Sequence, residues 1–409
     1  MTAKDPNPAS HRPLEGIVVA DLSHVLAGPL CTFQLALLGA EVIKVEMPGD
    51  GDLLRQLGSD PSLNRRRMSS PFLSLNAGKR CITANFKSPG GRAVVERLVG
   101  RADVLVENFR AGVLERLGLG WDHVRELNPR LIYCSLSGFG QQGPWRDKPA
   151  YDHILQAVSG IMALTGTADS GPVKAGFPAV DAASGYLTAF AVLAALMGRH
   201  QSGKGAFVDV SMLESALALM STQVADYLIT GNPPPRVGNA GFSGTPVSDC
   251  FAAPEGPLLI AANTEGQFRD LMTALDLGHL IDDPRFAEWE PRVANGGALK
   301  AEIEAALAAR PAAEWEARLN AADVPAGVVR SVPDVLDEPQ VRERGYIAEA
   351  DVPALERRIE VPTTPFTIDG QRPQPGGVAA ELGADTEAVL AELGYAADEI
   401  AALRAEGDI

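Results

Sequence analysis

The 409-residue chain has only four cysteines, and none falls in a Cys-x-x-Cys or Cys/His spacing. Cys31, Cys81, Cys134 and Cys250 therefore offer neither a disulfide framework nor a zinc site, and reduced thiols in a cytoplasm are the expected state. Basic charge is scarce: 36 Lys and Arg stand against 52 Asp and Glu, a net −16. A field of that sign repels nucleic acid and anionic lipid, which argues against both as general partners. No run of 18 apolar residues is present, so no membrane span is expected. The opening residues lack the apolar core of a secretory signal, and 1–12 read as a loose polar tail. Gly-x-Ser-x-Gly is missing, which leaves a serine hydrolase without support. No internal repeat of fixed period appears.

What is present is a folded composition, 46% hydrophobic and 22% charged, over a length that suits two domains. Short apolar runs at Ile17–Ala20, Glu41–Glu46, Cys81–Phe86, Asp103–Glu107 and Leu131–Ser135 alternate with helical stretches at Gly28–Leu38 and Pro89–Leu98. That alternation predicts an α/β fold with a mostly parallel, doubly wound sheet. A long helix, apolar nearly all round and so expected to be buried between layers or in a subunit contact, is predicted over Asp181–His200, followed by a strand at Phe207–Ser211. Pro and Gly thicken after Gly231. The expected division is a large domain over 13–224, a small one over 225–330, and a segment over 331–409 that returns to the large domain. A single terminal helix is expected near 384–405.

Asp181 stands at the start of the long helix, where two readings compete. It can be a plain N-cap, accepting a backbone N–H of the first turn. It can equally be a nucleophilic carboxylate beside backbone dipoles able to stabilise an oxyanion. Asp152 precedes it in Tyr151-Asp152-His153, but adjacent residues on a helix do not face each other, so no Asp–His dyad follows. Arg65-Arg66-Arg67, Lys79-Arg80, Arg110 and Arg116 gather in an otherwise acidic chain. Each alone is a solvated charge; together they suit phosphates at the edge of an open sheet. A dinucleotide fingerprint is excluded, because the first strand–helix turn, Ser23 to Pro29, holds one glycine where three are needed.

The chain resembles the class III CoA-transferases, a family that also includes the α-methylacyl-CoA racemases. The stretches that carry the likeness are Leu14-Glu-Gly-Ile-Val-Val-Ala-Asp-Leu22, His24 to Pro29, Leu38-Gly-Ala-Glu-Val-Ile-Lys-Val-Glu46, Asn76-Ala-Gly-Lys-Arg80, Val106-Glu-Asn-Phe109, Leu127-Asn-Pro-Arg130, Gly203-Lys-Gly205 and Leu382-Gly-Ala-Asp-Thr-Glu-Ala-Val-Leu390. The resemblance implies that Asp181 is the nucleophile, with Asp152 a polar positioning group. It implies coenzyme A contacts from His24, Val25, Ala27, Lys79, Arg80, Asn108, Phe109 and Arg116, no metal, and an interlocked homodimer. The implied chemistry moves CoA from an acyl-CoA, for which succinyl-CoA is a candidate, to a carboxylic acid through an aspartyl-CoA thioester.

Two departures from the family pattern sharpen this expectation. Racemases of the family place a histidine directly before the acidic residue that matches Asp152; here Tyr151 is there and His153 lies on the other side. Formyl-CoA transferases carry a glutamine at the position of Leu26 and a run of glycines as a mobile lid, reduced here to Gly238-Asn-Ala-Gly241 and Gly244. These departures point away from oxalate and toward a larger acid of the succinate, itaconate or methyl-branched type. A racemase, or a CoA-binding relative without turnover, is the alternative.

Overall fold

The computed structural model describes residues 12–241, 244–376 and 381–409. The expected tail over 1–12 thus lies almost wholly outside the described residues, as does part of the glycine-containing stretch near 241–244. The chain divides into two compact units, one formed by 1–161, 174–231 and 340–409 and the other by 162–173 and 232–339.

The first unit is built on six parallel strands: β1 (Val18–Asp21), β2 (Glu41–Glu46), β3 (Arg80–Thr83), β4 (Val104–Glu107), β5 (Ile132–Ser137) and β6 (Ala206–Ser211). They lie in the order β3-β2-β1-β4-β5-β6. These strands read as apolar runs because both faces are covered. Ala20, Ile43, Val45, Ile82, Leu105 and Tyr133 pack on one side with Val94, Val95 and Leu98 of α2 (Pro89–Arg101). Val19, Val42, Val104, Ile132 and Cys134 pack on the other with Cys31 and Leu35 of α1 (Ala27–Leu37). The odd–even switch between neighbours such as Val42 and Ile43 is the period-two pleat made visible.

Where the apolar stripe on the α1 side reaches the carboxyl ends of the strands it turns charged, at Asp21, Lys44 and Glu46, all buried. Three buried ion pairs satisfy these groups: Lys79 Nζ to Asp21 Oδ2 at 3.0 Å, Lys44 Nζ to Asp52 Oδ2 at 3.0 Å, and Arg55 Nη2 to Glu46 Oε2 at 2.7 Å. Each pair survives burial only as a pair, since removing one partner strands the other at a cost of about 3–5 kcal/mol.

The edge of β3 is closed by the end of the chain. Asp385 Oδ2 accepts the Cys81 N–H at 2.8 Å and Thr386 Oγ1 accepts that of Thr83 at 3.0 Å. An exposed strand edge would otherwise invite pairing with another chain. The single terminal helix expected near 384–405 is in fact two, Thr386–Glu392 and Ala397–Ala405, because Gly394 adopts φ +87° between them.

The long helix runs from Ala179 to Ser202 (labelled α4, after α3 at Asp152–Ser159). By length and composition it could cross a bilayer. One face, with Ser184, Gly185, Thr188, Ala189 and Val192, is buried. On the rest of its surface Tyr186, Phe190 and Met197 are exposed, Phe190 to 71%, so the layers of the described chain cover this helix on one face only. Gly185 is needed for close packing, since a Cβ there would lie 2.8 Å from the Ala27 carbonyl oxygen.

The second unit holds a three-stranded antiparallel sheet, β7 (Ser248–Phe251), β8 (Leu258–Ala261) and β9 (Ala326–Val328). Helices Glu265–Ala274, Gly296–Leu307 and Ala312–Ala321 bury Phe268, Ile303 and Trp315 in the same core as Phe251 and Ile260.

Candidate active site

In an open parallel sheet, the crevice for a ligand opens beyond the carboxyl ends of two neighbouring strands whose connections run to opposite sides. Here that point lies between β1 and β4, which are adjacent and parallel. The turns leaving them, 22–26 and 108–112, therefore face a common opening.

The β1 turn is fixed from three directions. Asn108 brackets His24, its Oδ1 accepting the His24 N–H and its Nδ2 donating to the His24 carbonyl, both at 2.8 Å. Asp52 accepts the Val25 N–H at 3.0 and 3.2 Å, and Lys44 Nζ donates to the Ser23 carbonyl at 2.8 Å. Val25 is held at φ +65°, a left-handed conformation that costs a β-branched residue about 1–3 kcal/mol. Burial lowers the pKa of the His24 imidazole, whose ring lies 5.0 Å from that of Phe109. Gly28 permits the tight return, since a Cβ there would sit 2.3 Å from Ser23 Cβ.

Asp181 enters from α4. The N-cap position is occupied by Pro178, with Asp181 third in the helix, so the N-cap reading of Asp181 is corrected. A proline or a buried aspartate at these positions leaves the first amides needing an acceptor. Asp152 supplies it: its Oδ2 takes the N–H of Val180 at 2.8 Å and that of Asp181 at 3.1 Å. Burial, reinforced by the Asp152 charge, raises the Asp181 carboxyl to about 7. His24, Val25, Ala27, Asn108, Phe109 and Asp181 line one cavity of about 110 Å³.

The sequence profile of CoA-transferase family III matches residues 14–386. This chain belongs to CoA-transferase family III. Succinate–glutarate CoA-transferase of Agrobacterium fabrum is 38% identical over 93% of the chain and 96% of its own length. Acetyl-CoA:oxalate CoA-transferase of Acetobacter aceti is 39% identical over 88% and 90%. The crystal structure of a CAIB/BAIF family protein from Brucella suis superposes with a TM-score of 0.84 at 35% identity, covering 94% of this chain and all of that one.

Within this family III chain, the remaining sequence candidates fall into two groups. Arg116 comes up beside Arg146: the two guanidiniums lie 3.1 and 3.4 Å from the point where a Cβ on Gly112 would sit. Lys79 and Arg80, by contrast, are engaged within the protein. Lys79 Nζ is buried and donates to Asp21 Oδ2, the Pro29 carbonyl, Thr32 Oγ1 and Asn76 Oδ1, at 2.7 to 3.0 Å. Arg80 bridges Glu41 and Glu392, each at 2.8 Å.

Residues the sequence reading passed over line the same cavity: Arg110 (weighed only as part of the basic cluster), Arg146, Lys148, Tyr151 and Ser137. Arg146 and Lys148 follow β5 in Gly143-Pro-Trp-Arg-Asp-Lys148, and basic residues just past a parallel strand were the available signal. His153 stacks on Tyr151, with ring centroids 6.0 Å apart and planes at 6°. Glu107, at the end of β4, is a second perturbed acid. Burial raises it to about 8 while it accepts the Phe109 N–H at 2.8 Å.

Proposed function

We propose that the chain moves CoA between an acyl-CoA thioester and a short aliphatic dicarboxylic acid through covalent intermediates on Asp181. The observation that carries this reading is a half-buried carboxyl, held in the first turn of a long helix, opening onto a cavity at the switch point of a parallel sheet. Anionic Asp181 attacks the donor thioester carbonyl. The tetrahedral adduct expels CoA thiolate and leaves a mixed anhydride. The thiolate then attacks the aspartyl carbonyl, so that the donor acid departs as carboxylate and Asp181 carries CoA as a thioester. The acceptor carboxylate reverses both steps, and no net proton or electron is consumed.

Each step builds an oxyanion that needs a preorganised donor. The amides of Val180 and Asp181 are already bonded to Asp152. The start of α1 is better suited, because it has no side-chain cap, no acidic residue in its first turn, and Ala27 on the cavity wall. His24, Val25, Ala27, Asn108 and Phe109 would shape the CoA path. Arg110, Arg116 and Arg146 would meet its phosphates or a second substrate carboxylate. The relatives' names favour dicarboxylates, and they span both glutarate and oxalate. The acid preferred here is the longer one, with oxalate as the contrast in the assay.

A second copy of the chain is proposed to cover the exposed apolar side chains Phe190 and Met197 on α4, together with Leu228 and Ile229 near the end of helix Ser221–Thr230. Light scattering that finds a monomer at low concentration would overturn that part.

The test of the central reading is intact mass after incubation with succinyl-CoA, followed by peptide mapping with hydroxylamine or borohydride trapping. An adduct on Asp181 supports transfer. CoA binding without an adduct from any thioester refutes it. Exchange of the α-proton of a 2-methylacyl-CoA would instead mark a racemase.

A further inference from the structure

We infer that Gln156 is a positioning residue for transfer at Asp181: its amide fixes the Asp152 carboxylate, and Asp152 in turn fixes the first turn of α4. The inference rests on the proposed role of Asp181.

Asp152 and Gln156 stand four apart on α3, one turn above each other on a shared face. Gln156 is fully buried, and its amide is engaged at both ends. Nε2 donates to Asp152 Oδ1 at 2.6 Å and to the Phe177 carbonyl at 3.3 Å, while Oε1 accepts the Ala175 N–H at 2.8 Å. The amide can face only one way. Reversed, it would set its oxygen against two acceptors and its N–H groups against a donor.

The division of labour at Asp152 follows. One oxygen is tied to Gln156, which leaves the other pointing at the amides of Val180 and Asp181. Through Ala175 and Phe177, the same glutamine also holds the strand of chain that leads into α4. A neutral amide does this without adding a third charge beside two carboxyls. Without it, the Asp152 carboxylate is free to rotate, and the backbone that carries Asp181 loses its fixed acceptor. Small displacements at a reacting group are costly in rate, so the effect belongs to the chemical step and not to CoA affinity.

The test is a double-mutant cycle on the full-length protein with Gln156→Met, Asp152→Asn and the pair. Three quantities are read: the rate of adduct formation on Asp181 at saturating succinyl-CoA, the Kd for CoA, and the melting temperature. Gln156→Met is expected to slow adduct formation about tenfold or more, with CoA affinity within about twofold of wild type. In the Asp152→Asn background the same change should cost clearly less than in wild type, because only the hold through Ala175 and Phe177 is then left to lose. Full-speed transfer in Gln156→Met overturns the inference. Equal losses in both backgrounds, or a loss matched by lost CoA binding or lost folded protein, also overturn it, since they describe a merely structural glutamine. If Gln156→Met does not fold, Gln156→Glu keeps the length and is judged by the same cycle. A wild-type protein that forms no adduct refutes the transfer reading, and this inference with it, and is distinguished by failing before any variant is made.

Discussion

Replacing Asp152 by asparagine removes a negative charge beside Asp181, the proposed nucleophile, while keeping the side chain's size. Asp181 is raised to about 7 first by burial and second by the Asp152 charge. Two like unit charges about 4 Å apart repel by about 4 kcal/mol at an effective dielectric of about 20, and greater separation or local screening reduces this. Even about 1.4 kcal/mol corresponds to a tenfold change in proton affinity, which takes the midpoint from near 7 to near 6. In the proposed mechanism the carboxylate attacks, so the rate of adduct formation is expected to rise with pH through that midpoint. At pH 6 the charged fraction would grow from roughly a tenth to roughly a half, and at pH 8 both proteins would be nearly fully ionised. The assay is single-turnover adduct formation by mass spectrometry from pH 5 to 9, read as the midpoint of the rise. The plateau is expected to fall, because asparagine has one acceptor oxygen where the Asp152 carboxylate accepts with two, so an N–H then faces either Gln156 Nε2 or the Val180 and Asp181 amides, but the midpoint is independent of that loss. An unchanged or alkaline-shifted midpoint would refute the electrostatic reasoning.

Asp181→Ala should abolish the adduct while CoA still binds, measured by calorimetry beside intact mass. Arg146→Ala should weaken CoA binding about tenfold at low salt and less at high salt, as a partly exposed charge facing a phosphate does. Ser184 has a buried hydroxyl with no hydrogen-bond partner among the described residues. Ser184→Ala should therefore stabilise by about 1–2 kcal/mol, through the removed orphan and the better helix former, seen as a raised melting temperature. Asn108→Ala should remove both bonds that bracket His24, lower stability by about 1–3 kcal/mol and raise the Kd for CoA.

The sheet was the legible part of this molecule, for a physical reason. Strands buried on both faces carry short, mostly apolar runs, as at Val104–Glu107, and Glu41–Glu46 could be bounded by its alternation and the Pro48-Gly49 that follows it. Asp181 was singled out by its place before an apolar helix, yet its true position in the first turn depended on Asp152, 29 residues earlier in the chain. Charge patterns were the least legible. Lys79 and Arg80 read as phosphate ligands because their carboxylates lie far off in sequence, at Asp21 and Glu392. Arg146 and Lys148 went unremarked because a single cation in a loop looks like any solvated one. Position just past a strand marks such a cation, but only the long-range pairing separates one held by the fold from one left for a ligand.

The helix that holds Asp181 in its first turn also carries the exposed side chains of Phe190 and Met197. At a rise of about 1.5 Å per residue, Phe190 stands about 14 Å from Asp181 along one uninterrupted rod. A helix of this kind transmits a push along its axis far better than a loop does. A second copy seated on that apolar side would therefore rest on the same rigid element that holds Asp181, and its effect on Asp181 would be carried by the helix itself.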